Sequence, residues 1–174
     1  MDVGVLILRL VVGGLLFGHG TQKLFGWFGG GGLSGAAGMV GSLGFRPAPL
    51  FAVLNGLAEA GGGVLLALGL LTPLGAAGII GVMLAASLAV HLKNGMWNQN
   101  GGMELPLTNL TAAAAVALIG PGPYSLDAVL GLELAGTWWG LGALGLGVGT
   151  ALIVLAIRRP PAEAEGNEDR RPAA

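Results

Sequence analysis

The chain has no cysteine. That excludes disulfides, thiol redox chemistry, iron–sulfur clusters, thiolate-ligated haem and cysteine zinc sites, and it leaves the redox compartment undetermined. Charge is scarce too. Lys and Arg number 8 and Asp and Glu 9 among 174 residues, or 10%, where a soluble domain is about a quarter charged. A net charge of −1 gives no basic footprint for nucleic acid. No ten-residue segments of alternating polarity appear, so a membrane barrel has no strands to build from. The 35 glycines have no three-residue period, which excludes collagen. Glycine is instead what tightly packed transmembrane helices use where backbones approach.

The charges that exist are unevenly placed. Asp2 stands alone at the start, and the stretch from Arg158 to Ala174 holds Arg158, Arg159, Glu163, Glu165, Glu168, Asp169, Arg170 and Arg171. From Val3 to Ile157 there are only Arg9, Lys23, Arg46, Glu59, Lys93, Glu104, Asp127 and Glu133. A soluble surface cannot be covered with so few charges. The body therefore reads as dissolved in lipid and the tail as wet.

Five apolar segments approach the ~20 residues a bilayer core requires. They run from about Val3 to Phe25, Pro49 to Leu70, Pro73 to His91, Glu104 to Ile119 (a short one) and Leu134 to Ile157. The first lacks a basic leader, is long and contains Arg9, so it reads as a membrane helix and not a cleaved signal. Leu71-Thr72-Pro73 predicts a tight turn, with Thr72 capping the third segment and Pro73 in its first turn. Gly120-Pro121-Gly122-Pro123 and Arg158-Arg159-Pro160-Pro161 are stops. Between the first two segments, Leu33, Ala36, Ala37, Val40 and Leu43 recur at helical spacing and predict a short interfacial helix. Gly29 to Gly32 reads as a hinge, since the Gly-Lys-Ser/Thr ending of a phosphate loop is missing.

The expected fold class is an all-α integral membrane protein. It comprises a four-helix bundle (1–133), a fifth transmembrane helix (134–157) and a disordered, charged cytoplasmic tail (158–174). With the tail inside, Lys23, Arg46 and Lys93 also fall on the cytoplasmic side, while the loop holding Asp127 and Glu133 has no basic residue. The positive-inside rule thus predicts an outer N-terminus and a cytoplasmic C-terminus. Close helix packing is expected from Gly14/Gly18, Ala58/Gly62, Ala77/Gly81, Gly136/Gly140 and Gly145/Gly149.

Ionisable groups cost roughly 2.5–3.5 kcal/mol each at a bilayer centre on insertion scales, so each needs a reason. His19, Gln22 and Lys23 share one side of the first helix, Asn55 and Glu59 one side of the second, and Ser87 and His91 one side of the third. Glu104, Thr108 and Thr111 do so on the fourth. Lipid rejects such stripes, so they are expected to face one another in a polar pocket. That pocket is made of Arg9, His19, Gln22, Lys23, Asn55, Glu59, His91 and Glu104 and opens towards the cytoplasm. An Arg9–Glu59 ion pair that merely fixes the fold is the bland alternative, and snorkelling of Lys23, His91 and Glu104 is another. Haem b between His19 and His91 is disfavoured, because a carboxylate and a lysine do not make an apolar haem slot. A zinc site from the two histidines with Glu59 or Glu104 is weighed and not adopted.

In order along the chain, several runs resemble DoxX-family membrane proteins. They are Leu8-Arg9-Leu10, His19-Gly20-Thr21-Gln22-Lys23-Leu24-Phe25-Gly26, Gly44-Phe45-Arg46-Pro47-Ala48-Pro49, Ala58-Glu59-Ala60-Gly61-Gly62 and Gly69-Leu70-Leu71-Thr72-Pro73. Further runs are His91 with Asn94-Gly95, Gly102-Met103-Glu104-Leu105-Pro106, and Gly120-Pro121-Gly122-Pro123-Tyr124-Ser125-Leu126-Asp127. The resemblance spans roughly residues 5–130, and the fifth helix and tail depart from the four-helix pattern. It implies a small bacterial inner-membrane protein, with relatives linked to quinone-dependent sulfur oxidation or to membrane-associated detoxification of oxidants. The expected function is a redox-associated subunit whose pocket takes a quinone headgroup, more an accessory of an oxidoreductase system than an enzyme by itself. The alternatives are a small-solute or proton transporter and a non-catalytic assembly subunit. Expected partners are the lipid bilayer and either a redox protein or further copies of the chain, with no nucleic acid.

Overall fold

The computed structural model describes residues 2–159. The tail from Pro160 onward, with its expected disorder, lies outside them. The described residues form an all-α membrane bundle. Its helices are α1 (Asp2–Phe25), α2 (Gly32–Ser42), α3 (Ala48–Leu68), α4 (Thr72–Ala86), α5 (Glu104–Ile119), α6 (Leu126–Val129) and α7 (Thr137–Ala156). After Ala86, α4 continues as a π-turn over Ser87–His91 and a 3-10 turn to Asn94. The spans Asp2–Phe25, Ala48–Leu68, Thr72–Asn94 and Thr137–Ala156 are long and apolar enough to cross a membrane, and α5 is a shorter apolar helix. One end of the bundle holds the tight α3–α4 turn. The other holds α2 and the α4–α5 loop. These are called the turn end and the loop end below.

The α4 span is the most buried of the four, and α4 is apolar on all sides, as a central helix must be. It packs on α3, α5 and α7, whereas α1 packs chiefly on α3. Lipid contact falls to outward side chains such as Ile7, Val11 and Leu15 on α1 and Leu54 and Leu57 on α3. The short helix expected after the first span is α2. It buries Ala36 and Val40 against Phe45 and Ala52 and leaves Leu33 and Met39 exposed.

Glycine sets the α1–α3 seam, but not the glycines that four-residue spacing singles out. A Cβ on Gly13 would lie 2.5 Å from the Gly63 carbonyl oxygen, and one on Gly20 would lie 2.3 Å from the Ala60 nitrogen. Gly63 and Gly56 are equally blocked from the other side, by Phe17 and by Leu24. Gly13/Gly20 and Gly56/Gly63 recur every seven residues, which keeps one line of each helix against the other. Gly14, Gly18, Gly145 and Gly149 have open space where a Cβ would go. The fifth spanning helix does pack. Gly147 of α7 meets Ala77 and Ile80 of α4, and Gly140 meets Leu118 of α5. At its loop end, Arg158 donates from Nε to the Leu43 carbonyl at 2.5 Å and lies over the Phe45 ring.

The α3–α4 turn differs from expectation in its cap. Gly69 closes α3 in a left-handed conformation, and Leu71 precedes α4 at φ 45°. Thr72 does not cap its own helix. The carboxylate of Asp127, from the segment after α5, accepts from the Leu71 N–H at 2.7 Å, the Thr72 N–H at 3.0 Å and the Thr72 hydroxyl at 2.7 Å. A carboxylate at a helix N-terminus satisfies free N–H groups and suits the helix dipole. This one comes from far along the chain.

Candidate functional site

Glu59 sits one turn before Gly62 and Gly63, which touch α4 and α1 respectively, so its side chain is directed between those two helices. It is 3% exposed. Asn55 stands one turn earlier on the same side. Lys23 reaches them from the last turn of α1, and the close Gly20–Ala60 approach one turn back brings it within range. Its Nζ lies 2.5 Å from Glu59 Oε1 and donates to Asn55 Oδ1 at 2.7 Å. The Lys23 side chain is 25% exposed, so it connects the buried carboxylate with the loop end. Glu59 Oε2 is buried and has no hydrogen-bond partner among the described residues. A buried carboxylate oxygen is normally satisfied, because leaving one bare costs about 1–3 kcal/mol or more.

Arg9 belongs to the opposite end. Its guanidinium donates from Nε to the Leu66 carbonyl at 3.1 Å and from Nη2 to the Ala67 and Tyr124 carbonyls at 3.0 and 3.1 Å. Nη1 donates to the Pro121 carbonyl. The expected Arg9–Glu59 pair is therefore not formed. Arg9 is 1% exposed and spends its donors on carbonyls of the last turn of α3 and of the segment after α5. With Asp127 it ties α1, α3, α4 and the segment after α5 together at the turn end.

His91 and Glu104 form a third group in the α4–α5 loop. His91 Nδ1 lies 2.6 Å from the Gly101 carbonyl, which can only accept, so Nδ1 is the donor in this bond. Asn94 donates to the same carbonyl at 3.2 Å. Glu104 accepts the Asn98 N–H at 2.9 Å and borders an open hollow with Trp97 and Gln99. The π-turn gives His91 this position. It adds a residue to the helical register after Ser87, whose hydroxyl donates to the Met83 carbonyl at 2.8 Å.

The structure thus brings together Lys23, Asn55 and Glu59 and distributes the rest. His19 is exposed on α1, and Gln22 donates to the Phe28 carbonyl at 3.3 Å. Thr108 and Thr111 are exposed on α5. Among the described residues no three His, Asp or Glu side chains group closely enough to hold a metal ion. Asp127 stands on no polar stripe and looks in the sequence like an ordinary loop charge; the helix-opening Ser125 before it is the one mark of its position.

The DoxX family model matches residues 4–92, from α1 to the end of the π-turn, and stops before α5 and α7. It takes in Arg9, His19, Lys23, Asn55, Glu59 and His91 and excludes Glu104 and Asp127. Neither the curated proteins nor the solved structures give a match. With half of its length on the family pattern, and the Lys23–Glu59 pair inside that half, the chain belongs to the DoxX family.

Proposed function

We propose that this protein is the membrane subunit of a quinone-linked redox system, and that Lys23, Asn55 and Glu59 receive the quinone headgroup. The observation that carries this reading is Glu59 Oε2, buried inside a membrane span, beside an ammonium and without a partner. Ionisable groups held inside a bilayer mark ligand or proton pathways. A quinone carbonyl accepts a hydrogen bond from the Lys23 ammonium or from a protonated Glu59. Its reduction to the quinol takes two electrons, drawn from a partner protein, and two protons. Both protons come from water: Lys23, partly exposed at the loop end, relays each in turn to Glu59, which hands it to the bound headgroup. The basic residues gathered at the loop end support a cytoplasmic loop end in a bacterial inner membrane, with the N-terminus outside.

The test is purification in mild detergent followed by mass spectrometry of bound small molecules. Quinone is expected with the wild-type chain and is expected to be lost with Glu59→Gln. Quinone-free protein whose reconstituted vesicles carry a Glu59-dependent proton flux would replace this reading with transport.

A further inference from the structure

We propose that the Lys23–Glu59 site is entered sideways from the bilayer, through a wedge between α1 and α5 whose lips are His19 and Asn109. The proposal deepens the reading of that pair as a ligand site and rests on it. It assigns the ligand a class: a flat polar head on an apolar tail that stays in lipid, not a solute arriving from water.

The helices form a ring with one loose joint. The pairs α1–α3, α3–α4 and α4–α5 pack extensively, while α1 and α5 touch only lightly. On that side α1 is fastened at the turn end to the segment that follows α5, where Arg9 donates to the Pro121 and Tyr124 carbonyls and Val5 lies beside Gly122. α7 does not fill the remaining space, because it packs on α4 and α5.

Seven-residue lines along each helix show where the joint opens. On α1 the line is Val5, Val12, His19. Val5 is half-buried beside Gly122, Val12 is buried in the core, and His19 is exposed. On α5 the line is Val116, Asn109. Val116 is 1% exposed, and Asn109, two turns towards the loop end, is only half-buried. Both inward lines are covered near the turn end and become uncovered, and polar, at the loop half. The depths agree. Counting on from Arg9 along α1 and back from Pro121 along α5, the two helices come level between His19 and Lys23 on one side and at Asn109 on the other. His19 precedes Gly20, which packs on Ala60, so the wedge opens at the height of Glu59. A histidine and an amide facing lipid are costly unless something polar visits them. A ligand head passing to Glu59 Oε2 meets them first, and its tail remains between α1 and α5.

The native chain has no cysteine, so single introduced cysteines report cleanly. His19→Cys, Asn109→Cys and Val116→Cys are spin-labelled in detergent and then put into vesicles, where the labels at 19 and 109 are expected to be relaxed by lipid-dissolved oxygen and the label at 116 is not, a readout that needs no thiolate in the bilayer. A label at 109 as shielded as the label at 116 means a closed joint, and the proposal fails whatever binds at Glu59. The second arm uses two quinones with the same head, one bearing a decyl tail and one without a tail. His19→Trp fills the wedge and is expected to weaken the tailed compound at least ten-fold and the tail-less one less, because both heads pass the lip and only one leaves a tail in it. Loss of neither, or a greater loss of the tail-less compound, overturns the entrance while the Glu59 site stands. Binding of neither compound by the wild-type chain removes the quinone reading, and the labelling arm then decides the wedge alone.

Discussion

Three charged residues are buried among the described residues, and the two ends of the bundle treat them oppositely. Arg9, at the turn end, gives hydrogen bonds to four backbone carbonyls, and its near neighbour Asp127 accepts three. Glu59, nearer the loop end, has one oxygen on Lys23 and the other on nothing. A charge whose hydrogen-bonding capacity is nearly used up, as with four of the five N–H groups of Arg9, is a fastener. A charge with capacity left over inside a membrane is available to a ligand. The turn end is therefore read as structure and the Lys23–Glu59 pair as the working site.

That contrast can be broken most forcefully at Arg9. Arg9→Met strips the end of α3 and the segment after α5 of a shared donor. A loss of about 3–5 kcal/mol is expected, seen as a large drop in melting temperature in detergent. Next comes Gly20→Val, which forces α1 off α3. It is expected to cost about 1–3 kcal/mol and, by moving Lys23 away, to abolish ligand retention as well. Arg158→Ala should cost about 1 kcal/mol, with faster hydrogen exchange confined to the Leu43–Phe45 bend. The smallest effect on stability is expected from Glu59→Gln, within about 1 kcal/mol of the wild type in the same melt, because the amide keeps the shape and gives up a charge that was only half satisfied. If Glu59→Gln melts as low as Arg9→Met, Glu59 is a fastener too and the distinction collapses.

The spanning helices were legible in the sequence because a bilayer leaves the backbone few options. Length and hydropathy alone locate α1, α3, α4 and α7. The Lys23, Asn55 and Glu59 contact was legible for a related reason: each sits on a polar stripe that lipid rejects. Arg9 was misread because its partners are backbone carbonyls, which leave no mark on a sequence. His19 was grouped with Lys23 because i, i+4 spacing puts two residues on one side of a helix. A helix edge is only a few tens of degrees wide, however, and here one of the pair is inside and the other outside. The glycine seam was obscured by abundance. With so many glycines, some four-residue pairs occur by chance: Ala77/Gly81 does line the α4–α7 contact, Gly14/Gly18 and Gly145/Gly149 have open space, and the α1–α3 seam is spaced by seven.

The seam between α1 and α3 also decides which part of the site can move. Where Gly13 meets Gly63 and Gly20 meets Ala60, backbone rests on backbone with no side chain to yield. The two helices are held like rulers laid edge to edge, and Glu59 is a fixed mark on one of them. Lys23 is joined to the other by four methylene groups and Glu59 by two, and Lys23 is the more exposed, so most of the slack in the pair lies on the lysine side. Any approach to Glu59 Oε2 is therefore met first by movement of that stem.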